Sequence, residues 1–558
     1  MEKNNQENRE AAAAAPEEPL AEPESAEPEK AETASEAASE RTPEEKRRDR
    51  VFLALLFMLI AVYTALFVTL SMLRYTNYRT PGVDLGIFNQ VLWLLSHGKG
   101  ATSTIRGMNL FGDHFAPILF LLVPLYWIRG NIQALLVLQT IALALGALPI
   151  YLIARDKINS RPVALVVAGA YLLYPALQQM NLFDFHPETF GLLFLLFAVL
   201  AVQRRKFGWF YLCCLLAAIC KEDMALAVLV LGLVVYFKYD RRAGRVVSIG
   251  SAAYFLGAVF IAIPRLSPEG FQYTGRLRQF GNSPVQAAWN MVRHPFHTLD
   301  VVATRTNLKY IFDLLVPVAF LGLLAPMFLL PALPAFLVNI LSDFPPQHTI
   351  NYQYTAAIIP FVFIAVVFAL ARFRAWADGS KKPRLVTGAL AFVLLASAMA
   401  GNFYSGPSPL SQTWQMANYR SDPHVKTMRQ AISKIPKDAS VSAQVFLLPH
   451  LSSREKIYMF PQPFIDYAGR KYLQSLDTDQ RKFMWPGIYR RREKGADPAL
   501  YPVPEVSYIA LDRGATPWPL PDDKHEYDRM ISRLLKRGEY KPVFERDGVL
   551  VLERRAVP

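Results

Sequence analysis

Residues 208–237 read GWFYLCCLLAAICKEDMALAVLVLGLVVYF, a thirty-residue apolar run broken by charge at Lys221-Glu222-Asp223. As one helix it would measure roughly 45 Å, against a bilayer core of about 30 Å. Basic clusters flank it, Arg204-Arg205-Lys206 before and Lys238 to Arg245 after, and short Lys/Arg-rich loops stay on the cytoplasmic side. Both ends of the run then lie on one side of the membrane. A hairpin with its apex at 221–223 meets both conditions and carries the charged apex to the outer face. The alternative buries three charges at the midplane.

Two more basic loops, Arg155 to Arg161 and Arg372 to Arg384, mark cytoplasmic turns on either side of this hairpin. Apolar runs near 51–73, 133–154, 163–180, 187–203, 246–264, 355–371 and 385–404 are long enough, or nearly so, to cross. The stretch 313–341 has the same excess length as 208–237 and divides around Pro326 and Pro331, residues that break or kink a helix. About eleven transmembrane helices result, with the N-terminus cytoplasmic and the C-terminus outside. Parity demotes Phe115 to Ile128 to a helix lying along the outer interface. Leu85, Phe88, Leu92 and Leu95 predict a second such helix. Both sit in an outer loop at 74–132, and a second outer loop at 265–312 is rich in Arg, His and aromatics.

A chain of 558 residues that is 52% hydrophobic, with runs of this length, excludes a soluble enzyme with one or two cores. The fold class is a polytopic α-helical membrane protein, a multi-pass protein of the plasma membrane. Residues 1–50 hold 8 Lys and Arg against 15 Asp and Glu, so the remainder carries +21 of the overall +14 and favours anionic lipid surfaces. With residues 1–45 nearly pure Glu, Ala, Pro and Ser and without an aromatic, 1–50 reads as a disordered acidic cytoplasmic tail. Residues 51–404 form the transmembrane domain. After Gly406, Pro407 and Pro409, residues 405–558 contain no spanning run and read as an extracytoplasmic α/β domain, with strands at Ser440–Leu447, Val506–Leu511 and Val549–Glu553 and a helix at His525–Arg537. Cys213, Cys214 and Cys220 lie within one apolar run and read as core residues.

The same parity puts Asp84, Asp113-His114, Asp184-Phe185-His186-Pro187-Glu188 and Lys221-Glu222-Asp223 on the outer face. Ionisable groups at membrane depth persist because they pair, line a wet cavity or do chemistry, and their convergence suggests one active site. Plainer readings stand beside this one. Asp84 and Asp113 are ordinary N-caps, Pro187 and Glu188 are ordinary first-turn residues, Lys221 could snorkel and pair with Glu222 or Asp223, and Pro449 to Arg454 could be a simple turn.

The series Asp84-Leu85-Gly86-Ile87-Phe88-Asn89-Gln90, Asp113-His114-Phe115, Asp184 to Glu188, Lys221-Glu222-Asp223 and Pro449-His450-Leu451-Ser452-Ser453-Arg454 resembles a prokaryotic family of predicted integral membrane proteins, over roughly residues 51–555. That family is similar in layout to the GT-C superfamily of polyprenyl-phosphate-sugar-dependent glycosyltransferases, mainly over residues 51–240. The resemblance implies a GT-C-like transmembrane domain in which Asp84 takes the place of the catalytic acid after the first span. It aligns Asp184 with a further acidic position. Asp113-His114 falls where relatives carry a His-Pro or Lys-Pro pair, departing by the Phe115-Ala116 inserted before Pro117. Lys221 falls at a Thr-Lys position, with Cys220 in place of Thr.

Transfer from a lipid-linked sugar requires a carboxylate base for the acceptor hydroxyl and a cation for the departing phosphate. Asp84 is the candidate base, with Asp113 and Asp184 completing the catalytic set. Lys221, helped by an arginine of 265–305, is the candidate phosphate contact. His114, His186, Glu188 and Glu222 complete the substrate-binding set. The sequence marks no certain cofactor; a divalent cation, Mg or Mn, could sit among these carboxylates and imidazoles, whose mixed donors suit Mn or Zn better than Mg. The expected partners are a polyprenyl-phosphate sugar donor, an extracytoplasmic glycan, lipid or protein acceptor, and membrane lipids. No nucleic-acid motif or nucleotide-phosphate loop occurs. The expected activity is hexosyl or pentosyl transfer. A transporter or flippase of lipid-linked saccharide, and a noncatalytic membrane scaffold, are the alternatives.

Overall fold

A computed structural model describes residues 42–80, 82–267, 271–281, 283–378, 383–464, 505–515 and 524–556. The chain divides into two compact units, Met1–Leu53 and Ala54–Pro558. The expected acidic tail lies outside the described residues up to 41. The described part of the first unit opens the long helix Pro43–Thr76. Its start is a reciprocal cap: the Thr42 amide donates to Glu45 Oε2 at 3.0 Å and the Glu45 amide to Thr42 Oγ1 at 3.2 Å.

Among the described residues, five helices are long and apolar enough to cross a membrane: Pro43–Thr76, Ile132–Ile158, Arg241–Leu266, Ile359–Asp378 and Arg384–Ser405. A sixth crossing is available if the pair Arg161–Leu172 and Pro175–Leu182, bent by 43°, counts as one. Pro175, which lacks an amide hydrogen, opens the second arm of that bend. The protein is therefore a multi-pass membrane protein, mostly helical, with a sheet near its C-terminus. Length alone does not reach eleven crossings, because Glu188–Gln203, Phe207–Ala218 and Met224–Lys238 have only 16, 12 and 15 residues.

The opening stretch folds as two helices joined at 219–223, so the charged triplet sits in a turn. Gly244 brings the next helix, Arg241–Gly257, onto Met224–Lys238 backbone to backbone, since a Cβ there would lie 2.2 Å from the Tyr236 amide nitrogen. The stretch 313–341 takes another form. After the helix Arg305–Leu315 come three short 3-10 segments at Val316–Val318, Leu321–Leu324 and Pro326–Ala332, then the helix Leu333–Leu341. The expected division at Pro326 and Pro331 underestimates the break, to which Pro317 and Pro334 add.

Within 74–132, Val83–Ser96 is helical as its periodicity predicts, and Pro117–Arg129 forms a 3-10 turn running into a helix. The C-terminal sheet has the order Ile457–Met459, Val441–Ala443, Tyr508–Asp512, Val549–Arg554 and Tyr540–Arg546. The first three strands are parallel and the last two antiparallel. The helix Lys524–Lys536 covers it with Tyr527, Met530, Ile531 and Leu534, the helical spacing of one apolar face, packed on Ile509, Leu511 and Leu552.

Candidate active site

Every charged cluster singled out in the sequence sits where a helix ends. Asp84 lies in the first turn of Val83–Ser96, but Gly82, at φ 72°, occupies the N-cap position, so Asp84 is not the cap. Asp113 ends the short helix Leu110–Asp113, and the next helix, opening at Pro117, has Ala116 as its N-cap, so the capping reading fails there too. Asp184 to Pro187 connect Pro175–Leu182 to Glu188–Gln203. Lys221 lies in the hairpin turn.

These ends converge on one cavity of about 180 Å³. Asp84, Asp113, His114, His186, Glu188 and Lys221 line it; Asp184 and Glu222 stand behind that lining as partners of its residues. His186 Nε2 is 3.4 Å from Asp84 Oδ2, and His186 Nδ1 is 3.1 Å from the Asp184 carbonyl oxygen. Both ring nitrogens face oxygen acceptors, an arrangement that suits the imidazolium. Burial works against that charge, but the hydrogen bond and charge of Asp84, with Glu188 and Asp184, raise the His186 pKa. Gln139 fixes the connection by accepting from the His186 amide at 2.9 Å and donating to the Asp184 carbonyl at 3.2 Å. Asp184 is buried, accepts from the Leu85 amide at 3.4 Å, and its Oδ1 has no hydrogen-bond partner among the described residues. Burial and then the nearby Asp84 charge push its pKa up to about 6.

The opposite wall is built from matched ions. Lys221 Nζ is 2.9 Å from Glu188 Oε1 and 3.4 Å from Asp223 Oδ2. Of the two expected partners, Glu222 instead takes His114 Nδ1 at 2.9 Å and the Phe115 amide at 2.9 Å. Burial disfavours the Lys221 charge, but Asp223, Glu188 and Glu222 outweigh it and hold the ammonium protonated. Asp113 is gripped in fork geometry by Arg106, at 2.7 and 3.2 Å, and by the Tyr273 hydroxyl at 2.8 Å. Although burial opposes it, this grip keeps the Asp113 carboxyl well below the usual carboxylate range. His114 stacks on Tyr273 at 4.4 Å.

Arg106, Tyr273 and Arg276 are among the lining residues that the sequence does not single out individually. Arg106 and Tyr273 carry no local pattern that separates them from other loop residues. Arg276 belongs to the 265–305 arginines and is the one that reaches the cavity. Its guanidinium lies 4.7 Å from the Tyr273 ring and 4.1 Å from Phe344, and its Nε has no hydrogen-bond partner among the described residues.

Among the described residues no three His, Cys, Asp or Glu side chains gather as a metal site. The donor set explains why: Arg106 takes Asp113, Lys221 takes Glu188, and His114 takes Glu222. These three carboxylates are committed to their partners, which leaves Asp84, Asp184 and His186 as the remaining candidate donors for the expected cation.

Fold and site thus define a polytopic membrane protein whose helix ends enclose a charged cavity. More particularly, the chain belongs to the family described as predicted membrane protein (DUF2079), whose model matches residues 70–551. No protein of curated function matches the sequence. Among solved structures, the oligosaccharyltransferase of Archaeoglobus fulgidus in its apo form is similar at 13% identity and TM-score 0.40, over 82% of this chain and 69% of that one. The same organism's AglB, in complex with an inhibitory peptide and a dolichol-phosphate, is similar at 13% and 0.38, over 90% and 75%. The form tethered to an acceptor peptide containing the NVT sequon gives 12% and 0.39, over 90% and 74%. The overlap is broad but loose.

Proposed function

We propose that this protein is a GT-C-like membrane glycosyltransferase that moves a sugar from a polyprenyl phosphate carrier to an extracytoplasmic glycan, lipid or protein. In this reading the short apolar helices complete about eleven crossings of the plasma membrane, the tail is cytoplasmic, and the cavity and C-terminal α/β domain face outward. The observation that carries the reading is one cavity holding the Asp84 carboxylate, the Lys221 ammonium and the Arg276 guanidinium.

Asp84 is the more exposed partner of its pair with His186, with 37% of its side chain accessible, and is placed to receive a proton from an entering hydroxyl. The acceptor oxygen forms its bond to the anomeric carbon as that carbon's bond to the phosphate oxygen breaks. The hydroxyl proton passes to Asp84, and the bonding pair leaves with the phosphate. Lys221 as a point charge and Arg276 as a fork stabilise that leaving group. His186 holds the Asp84 carboxylate in place. Asp113, committed to Arg106 and Tyr273, orients the wall that carries Arg276 rather than taking a proton.

The test is transfer from a panel of radiolabelled polyprenyl-phosphate sugars to membrane extracts by purified wild type and Asp84→Asn. A roughly 10²- to 10⁴-fold fall in the variant, the usual range for general base catalysis, is the expected result. Binding without transfer in both proteins would favour a transporter of lipid-linked saccharide.

A further inference from the structure

The motif Pro449 to Arg454 belongs to the C-terminal domain, far along the chain from the cavity, and the mechanism above makes no use of it. In three dimensions it lies against the helix Val83–Ser96. His450 is sandwiched between Tyr75 and Tyr78, with ring centroids 4.2 and 3.9 Å apart. Tyr78 takes a left-handed conformation, φ 56°, that costs an L-residue roughly 1–2 kcal/mol and so needs support from its surroundings. Pro449 fills the space beside Gly82, where a Cβ would fall 2.1 Å from its ring. One turn further on, Leu448 packs 3.3 Å from the position a Cβ would take on Gly86.

Polar contacts continue the same line. Asn89 donates to Ser452 Oγ at 2.7 Å and to Ser453 Oγ at 3.1 Å, while its own oxygen accepts from the Tyr126 hydroxyl at 2.8 Å. Gln90 donates to the Glu455 carbonyl at 3.0 Å. Arg454 is buried and turned inward, donating to the Leu451 carbonyl at 2.6 Å and the Ala439 carbonyl at 2.8 Å, so it braces the motif on its own domain. Lys99 and Glu455 close the far end at 2.6 Å. Asp84 lies between the Gly82 contact and the Asn89 contact.

We infer that Leu448–Glu455 is a fixed clamp that positions Asp84, with His450 as its central positioning residue, so that the C-terminal domain is a working part of the site and not a detachable cover. Resting on the transferase reading, this adds that the domain stays docked through turnover. Burial, with Arg429 nearby, pushes the His450 pKa down to about 3, so the stacked imidazole is neutral throughout the working range. No pH-driven release is built into the contact.

The test bridges the exposed pair. Lys99→Cys with Glu455→Cys, joined by a cleavable bismaleimide, is expected to transfer sugar at the unbridged rate. Failure of the bridge to form, or loss of transfer that cleavage restores, would overturn the clamp. His450→Ala is expected to lower kcat roughly 10- to 100-fold, the scale of a small misplacement, with the donor KM within about twofold. His450→Phe should rescue it by keeping the stack; an unchanged kcat in His450→Ala overturns the proposal. If wild type transfers nothing, the transferase reading fails, yet hydrogen exchange still decides the clamp. The first turn of Val83–Ser96 should exchange faster in His450→Ala, and unchanged exchange would reject it.

Discussion

The stretches 208–237 and 313–341 start alike, each too long for one crossing, and end as different structures. The first breaks once, at three charges, and keeps two regular helices. The second holds Pro317, Pro326, Pro331 and Pro334 and breaks repeatedly into short 3-10 segments, with Ala319 and Phe320 at φ 52° and 57°. Charges break a span where their partners are: Lys221 turns because Glu188 and Asp223 receive it. Prolines break it wherever they stand, because each removes a donor and crowds the preceding turn. A break made of ions is tied to the rest of the site, and a break made of prolines is not.

That contrast fails most visibly if the ion pair can be cut without loss. Lys221→Met, which leaves Glu188 buried without its cation, is expected to lower stability by about 3–5 kcal/mol in thermal unfolding, and adding Glu188→Gln should recover most of it. A second charged connection sharpens the point by pH. The Asp184 pKa is raised to about 6, so its stabilising contribution is complete below about pH 4 and is lost as pH rises through about 6. Asp184→Asn is expected to gain on wild type by roughly 2–3 kcal/mol across that window, read as the difference of the two Tm–pH curves. In the proline stretch, Pro326→Ala should change stability by less than about 1 kcal/mol, since Pro317, Pro331 and Pro334 keep the break. Smallest of all, Ala319→Gly should stabilise by at most about 1 kcal/mol, relief of a left-handed residue offset by added freedom in the unfolded chain.

The same contrast explains what was legible in the sequence. The hairpin at 221–223 was readable because flanking basic clusters fixed both its ends, and the charged clusters were readable because charge in an apolar run stands out. Which carboxylate meets which cation was not, since pairings such as His114 with Glu222 depend on how distant helix ends meet. Arg106 and Tyr273 were invisible because a loop arginine or tyrosine is ordinary until something buries it. In the C-terminal region the strand Tyr540–Arg546 escaped notice because it is an edge strand, largely exposed and containing Pro542, with little apolar alternation. Ile457–Met459, at three residues, is too short to carry a pattern.

Gly82 and Pro449 lie far apart in the sequence and share one small volume. Each therefore limits what inheritance can try at the other: the left-handed backbone at 82 keeps glycine there, and a bulkier residue at 449 would crowd the same space and push the two parts out of register. A gene-level shuffle that swaps the C-terminal half between relatives would inherit that debt at once, and its hybrids should work only when both positions travel together.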